Sequence, residues 1–166
     1  PYTIAKMDMV RNLTVKDGEA CYISIADMAV YDATGAAANA NKTDIVYLYR
    51  SIPDFSFNHA LVSPAADPQY LPGVTLPNGV SNSTMMLKVF NLQDYNLAQL
   101  QYGIYIDDLD FQQIDLSDAP NYAINLKAEA GAWVQTADKK YKAYIFINSV
   151  NKSQKSAVIS IKRYEL

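Results

Sequence analysis

Apolar residues along this chain recur mainly at a spacing of two, the period of a β-strand, and the pattern is clearest in the last third. Residues 133–164 read as three strands joined by two short polar turns. In Ala143-Tyr144-Ile145-Phe146-Ile147 both alternating faces are apolar, so this strand is expected inside a sheet with packing on each side. Ala137-Asp138-Lys139-Lys140 and Asn151-Lys152-Ser153-Gln154-Lys155 supply the turns, and Ala157-Val158-Ile159-Ser160-Ile161 forms the following strand. At the other end, residues 2–10 alternate, with Ala5, Met7 and Met9 on the side expected to be buried and Lys6 and Asp8 on the other. Residues 13–15 extend that strand, and Lys16-Asp17-Gly18-Glu19 turns into Cys21-Tyr22-Ile23-Ser24-Ile25. Thr34 is placed to cap a short alanine-rich helix over residues 35–40. Asp44-Ile45-Val46-Tyr47-Leu48-Tyr49 then reads as a fully buried strand.

The middle of the chain differs. Pro64, Pro68, Pro72 and Pro77 with Gly73 and Gly79 make residues 63–83 an irregular surface segment, and loops of that length are commonly functional or mobile. Met85-Met86-Leu87-Lys88-Val89-Phe90 resumes a strand. Residues 92–100 hold Leu92, Tyr95, Ala98 and Gln99 at helical spacing, and residues 102–126 read as short strands alternating with acidic turns. The fold expected is all-β, an antiparallel β-sandwich with short helical insertions over one domain of residues 1–166, with a β-barrel as the alternative. At 166 residues the chain can bury a core without covalent staples.

Composition adds less. Thirteen tyrosines against five phenylalanines fit half-buried sheet surfaces, where the ring packs and the hydroxyl stays wet, and fit a binding surface equally. A net charge of −3 argues against a nucleic-acid partner. No apolar run approaches the roughly 18–20 residues that span a bilayer. The sequence starts at Pro1 rather than methionine, which suggests that a leader or anchor has been removed. Cys21 has no second cysteine to pair with and is expected to be a buried small hydrophobe.

Candidate chemistry is sparse. His59 is the only histidine and lies in no recognisable nucleophile motif, so it supplies one vertex of a catalytic constellation at most. Asp107, Asp108 and Asp110, followed by Asp115 and Asp118, are the best metal candidates, because a hard cation such as calcium takes clustered carboxylates and loop carbonyls; the competing reading is a solvated acidic edge. No other cofactor is expected. Glu129 near Trp133, or Asp107 with Asp110, imitates a glycosidase acid and base only if the carboxyls stand at the right separation. Asn12, Asn41, Asn82 and Asn151 head glycosylation acceptor tripeptides and are also ordinary turn formers.

Several of these segments together carry a family resemblance. Tyr22-Ile23-Ser24-Ile25 through Val30-Tyr31, the alanine-rich stretch from Ala36 to Asn41, Thr43-Asp44-Ile45-Val46-Tyr47, His59-Ala60-Leu61-Val62-Ser63-Pro64, the Thr136 turn and Ser156-Ala157-Val158-Ile159-Ser160-Ile161-Lys162 resemble uncharacterised secreted or lipid-anchored β-sandwich proteins of gut Bacteroidetes. The resemblance implies an exported protein of the periplasm or outer cell surface, tethered through a removed lipidated segment. It brings no catalytic signature.

The function expected is a non-catalytic envelope module that binds polysaccharide or a surface protein. Trp133, Tyr70, Tyr95, Tyr102 and Tyr105 are candidate stacking surfaces, with Asn96 and Gln101 as polar neighbours. The alternatives are an adhesive subunit assembling through sheet edges, for which residues 2–10 are the obvious edge, and a carrier of an apolar ligand inside a barrel.

Overall fold

The alternation is realised as strands in the computed structural model, which describes residues 6–52, 56–90 and 106–166. These are β1 (Met7–Lys16), β2 (Tyr22–Ser24), β3 (Ala29–Tyr31), β4 (Ile45–Arg50), β5 (Asn58–Val62), β6 (Met85–Val89), β7 (Tyr122–Leu126), β8 (Gly131–Gln135), β9 (Tyr141–Asn151) and β10 (Ser156–Glu165), with helices α1 (Ala33–Ala38) and α2 (Asp108–Gln113). They form two five-stranded sheets, β1-β10-β9-β8-β6 and β3-β2-β4-β5-β7. Every pairing is antiparallel. The sheets remain separate, so the chain is a sandwich and not a barrel. Where β6 meets the start of β7, Met86 N donates to Pro120 O at 2.7 Å, a local tie between the two layers.

The main core lies between the sheets. Ala132, Val134, Ala143, Ile145, Ile147, Ile159 and Ile161 project from the first, and Ile23, Ile45 and Leu61 meet them from the second. A smaller core covers the other face of the first sheet, where Trp133, Tyr144 and Tyr164 pack beneath Phe111 of α2 with Ile106 and Leu116. This second layer is why β9 is apolar on both faces. Phe111 is fully buried there, which stabilises by about 1.5–3 kcal/mol. Gly131 makes room for Tyr144: a Cβ at that position would lie 2.1 Å from Tyr144 Oη.

Three expectations are corrected. In β1 the positions facing the other sheet are Val10, Leu13 and Val15, while Met7 packs against the second core and Met9 is exposed. The register shifts between Val10 and Leu13, with Asn12 at φ 59°, and the bulge moves the inward set from even to odd positions. Helix α1 is capped by Asp32, which accepts from Gly35 N at 2.8 Å, and not by Thr34. Instead of strands and acidic turns alone, residues 108–113 form α2. Residues 1–5 and the helical segment expected over 92–100 lie outside the described residues.

Candidate functional site

Cross-strand register sets a row of side chains on the outer face of the second sheet. Tyr31 opposes Tyr22, Tyr22 opposes Val46, Val46 opposes Val62, and Val62 opposes Tyr122. The long loop between β5 and β6 lies over this row. Its start and end are pinned by a polar network: Ser63 Oγ donates to Asn82 O at 2.8 Å and accepts from Thr84 N at 3.0 Å, and Thr84 Oγ1 donates to Asp44 O at 2.7 Å. Asn82 Nδ2 donates to Asn41 O, Thr43 O and Asp44 Oδ1. That amide is therefore fully engaged, and the Asn82 acceptor tripeptide is a structural clasp. Asp67 caps the one-turn helix at Pro68–Tyr70 by accepting from Gln69 N at 3.0 Å. Tyr70 then stacks on Tyr122, ring centroids 3.8 Å apart and 12° from parallel.

Beyond Tyr70 the loop stands off the sheet and leaves a cleft of about 270 Å³, lined by Asp17, Gly18, Cys21, Tyr22, Val46, Tyr47, Arg50 and residues 73–75. Arg50 is fixed at its rim. Its Nε donates to Pro72 O and its Nη1 to Tyr49 O, both at 2.8 Å, and Nη1 also pairs with Asp17 Oδ2. Asp17 Oδ2 accepts in addition from Tyr49 N at 3.0 Å. Among the described residues Arg50 Nη2 and Asp17 Oδ1 have no partner. Nη2 lies beside Gly73, where a Cβ would come within 3.4 Å of it. Burial pushes the Cys21 thiol up to about 11 and the Tyr22 hydroxyl up to about 12, so both stay protonated and neutral at pH 7. The cleft thus offers one immobilised cationic donor and one carboxylate acceptor in a lining whose exposed part is more polar than apolar.

The residues expected from sequence fall elsewhere. Trp133 is only 6% exposed, with Phe111 at 5.5 Å and Tyr144 at 5.1 Å packed edgewise against it, so it belongs to the second core and not to a stacking surface. Tyr70 sits on Tyr122. Tyr95, Asn96, Gln101, Tyr102 and Tyr105 lie outside the described residues. The acidic trio is engaged in local structure: Asp107 accepts from Leu109 N and Asp110 N, Asp110 accepts from Asp107 N at 2.9 Å, and together they form a capping box for α2. Asp108 Oδ2 accepts from Lys6 N at 3.0 Å. No cluster of three or more metal-ligating side chains occurs among the described residues. His59 is buried between the sheets, its Nδ1 2.7 Å from Tyr47 Oη, and burial lowers its pKa. Asp17, Arg50 and Gly73 were not singled out as site residues; the only available signals were the Asp-Gly turn and the Pro/Gly-rich loop.

Two antiparallel sheets packed face to face, one of them covered by a long pinned loop, place the chain among the β-sandwiches. It belongs to the family described as Domain of unknown function (DUF8576), whose profile matches residues 5–166. It is also similar to the crystal structure of a DUF4466 family protein from Parabacteroides merdae, a gut Bacteroidetes, at 42% identity and a TM-score of 0.83. That alignment covers 100% of this chain and 56% of the Parabacteroides chain, so this chain spans little more than half the length of its structural relative. No curated protein matches it.

Proposed function

We propose that this chain is a non-catalytic module of the cell envelope that binds glycan in the cleft between the long loop and the outer face of the second sheet. The carrying observation is the rigid donor and acceptor pair. Arg50 and Asp17 line a small cleft together with Tyr22, Val46 and Val74, and their Nη2 and Oδ1 have no partner among the described residues. A sugar hydroxyl both donates and accepts, so an ion pair with one open donor and one open acceptor in a small, mostly polar cleft matches it. Holding Arg50 by three existing bonds reduces the ordering cost on binding. Export and a lipid tether, implied by the resemblance, complete this reading; cell fractionation of the full-length protein tests them.

Native affinity electrophoresis against plant and host polysaccharides tests the binding. Retardation by a polymer, lost in Arg50→Lys with the fold intact by circular dichroism, is expected. Absence of retardation by every polymer would sink the proposal. An adhesive reading draws on β1, a ten-residue edge strand of the first sheet. Concentration-dependent assembly by sedimentation would favour it, although the Asn12 bulge and the charges of Asp8 and Arg11 blunt that edge.

A further inference from the structure

We infer that the cleft takes a single sugar residue at a chain end and cannot accommodate the interior of a polymer; this rests on the glycan reading above. The row Tyr31, Tyr22, Val46, Val62, Tyr122 runs across all five strands of the second sheet, and if open it would be a trough able to hold several linked sugars. Both ends are covered. At one end Tyr70 lies flat on Tyr122 at 3.8 Å, and Leu71 beside it is buried. At the other, α1 closes on Tyr31, where a Cβ on Gly35 would come within 3.1 Å of the ring. Between them stands a cleft of about 270 Å³. This falls below the roughly 300–1,000 Å³ typical of sites for drug-sized ligands and suits one ring.

The chemistry narrows the ligand further. Arg50 is already neutralised by Asp17, so the site has no net charge to attract a uronate or a sulfated sugar. The open Nη2 and Oδ1 belong to paired groups held side by side, an arrangement that fits two neighbouring hydroxyls of one neutral ring, one accepting from Arg50 and the other donating to Asp17. The non-reducing end of a chain carries such a vicinal diol free of linkage. Thr75 is exposed on the loop side of the cleft, where a larger side chain would block entry without touching the core.

The experiment uses isothermal titration with the methyl glycosides of glucose, galactose, mannose and fucose, alongside dextran, galactan and mannan, each intact and after partial acid hydrolysis. One methyl glycoside is expected to bind and to displace its polymer completely. Hydrolysis that raises the number of chain ends tenfold is expected to lower the half-saturating mass concentration by about tenfold, and Thr75→Trp to weaken binding by at least about tenfold with an unchanged melting temperature. A polymer that binds at a fixed mass concentration whatever its number of ends, or that binds Thr75→Trp as tightly as wild type, would overturn chain-end recognition and leave glycan binding standing. Failure of every glycoside and polymer to bind would overturn the glycan reading, and this inference with it.

Discussion

Lys162 carries an electrostatic cost that one substitution should remove. It projects from β10 toward the second core and is 5% exposed, and its Nζ has no hydrogen-bond partner among the described residues. Burial pushes its pKa down from 10.5 to about 8; the Asp110 and Asp107 carboxylates pull it partly back and Arg11 opposes them. In the unfolded chain the amine keeps its ordinary value. Below pH 8 both states are protonated and the native state bears the full penalty, which at about 1.36 kcal/mol per unit over that gap comes to about 3 kcal/mol. Between pH 8 and 10.5 the unfolded state binds more protons, so stability rises with pH through that window.

Lys162→Met keeps the unbranched stem and removes the charge. Asp110, whose carboxyl burial already pushes up, loses a favourable neighbour in the exchange. The net gain at pH 7 is therefore expected at about 1–3 kcal/mol, shrinking to under about 1 kcal/mol at pH 10, where most of the wild-type penalty has been titrated away. Urea denaturation of both proteins at both pH values reads this directly, because other titrating groups are common to the pair and cancel in the difference. A midpoint at pH 7 that is unchanged or lower in the variant, or a gain of equal size at both pH values, would refute an unpaired buried ammonium at this position.

Asp44 gives the opposite slope: burial pushes its carboxyl up to about 7, against the Ile25 N–H and the Asn82 amide that favour its charged form, so its contribution is full below pH 4 and is lost as pH rises through 7. Asp44→Asn should flatten the urea midpoint across that range. His59, lowered by burial, contributes stability that is lost as pH falls below 6.5. His59→Leu should abolish that acid-side loss while costing about 1–3 kcal/mol at pH 7, because Tyr47 Oη is left without its partner, and thermal melts at pH 5 and 7 separate the two effects. Gly131→Ala should lower stability by about 1–3 kcal/mol in urea titration, since a Cβ would overlap the Tyr144 hydroxyl and the buried ring has nowhere to withdraw. A neutral result there would mean that the second core repacks freely.

What the sequence made legible was what lies close together along the chain. The hairpins joining β8, β9 and β10 follow from turn residues between alternating runs, and the two-sided burial of β9 is written in Tyr144 and Phe146 standing between Ala143, Ile145 and Ile147. Helix α2 was missed because its six residues hold two aspartates and only two apolar side chains, Leu109 and Phe111; the signal present was Asp107 and Asp110 at capping-box spacing. In β1 the bulge at Asn12 inverts the phase midway, so alternation before it points Met7 to the second core and not to the core between the sheets. The site was less legible still. Asp17 and Arg50 meet across 33 positions of sequence, and Gly73 matters only because the loop returns over the sheet at that residue.

Each sheet has one face against the other and carries apolar side chains on its second face as well, which are covered in two ways with different consequences. The first sheet uses a helix, capped by Asp107 and Asp110, which buries Trp133 and Tyr164 beneath it. The second uses a loop, whose backbone groups need individual partners. Ser63 Oγ serves Asn82 O and Thr84 N, Asp67 serves Gln69 N, and in the middle of the loop Arg50 Nε holds the carbonyl of Pro72. The guanidinium that anchors the loop is therefore the one whose Nη2 remains open to the cleft. Anchoring and recognition share a side chain, so Arg50→Lys should loosen the loop and weaken ligand together, seen as faster amide exchange at Leu71 and Val74. Thr75→Trp should leave that exchange unchanged while weakening binding. If both variants left amide exchange at wild-type rates, Arg50 would not be the anchor, and the loop would owe its position to the Tyr70–Tyr122 stack and the Asn82 clasp alone.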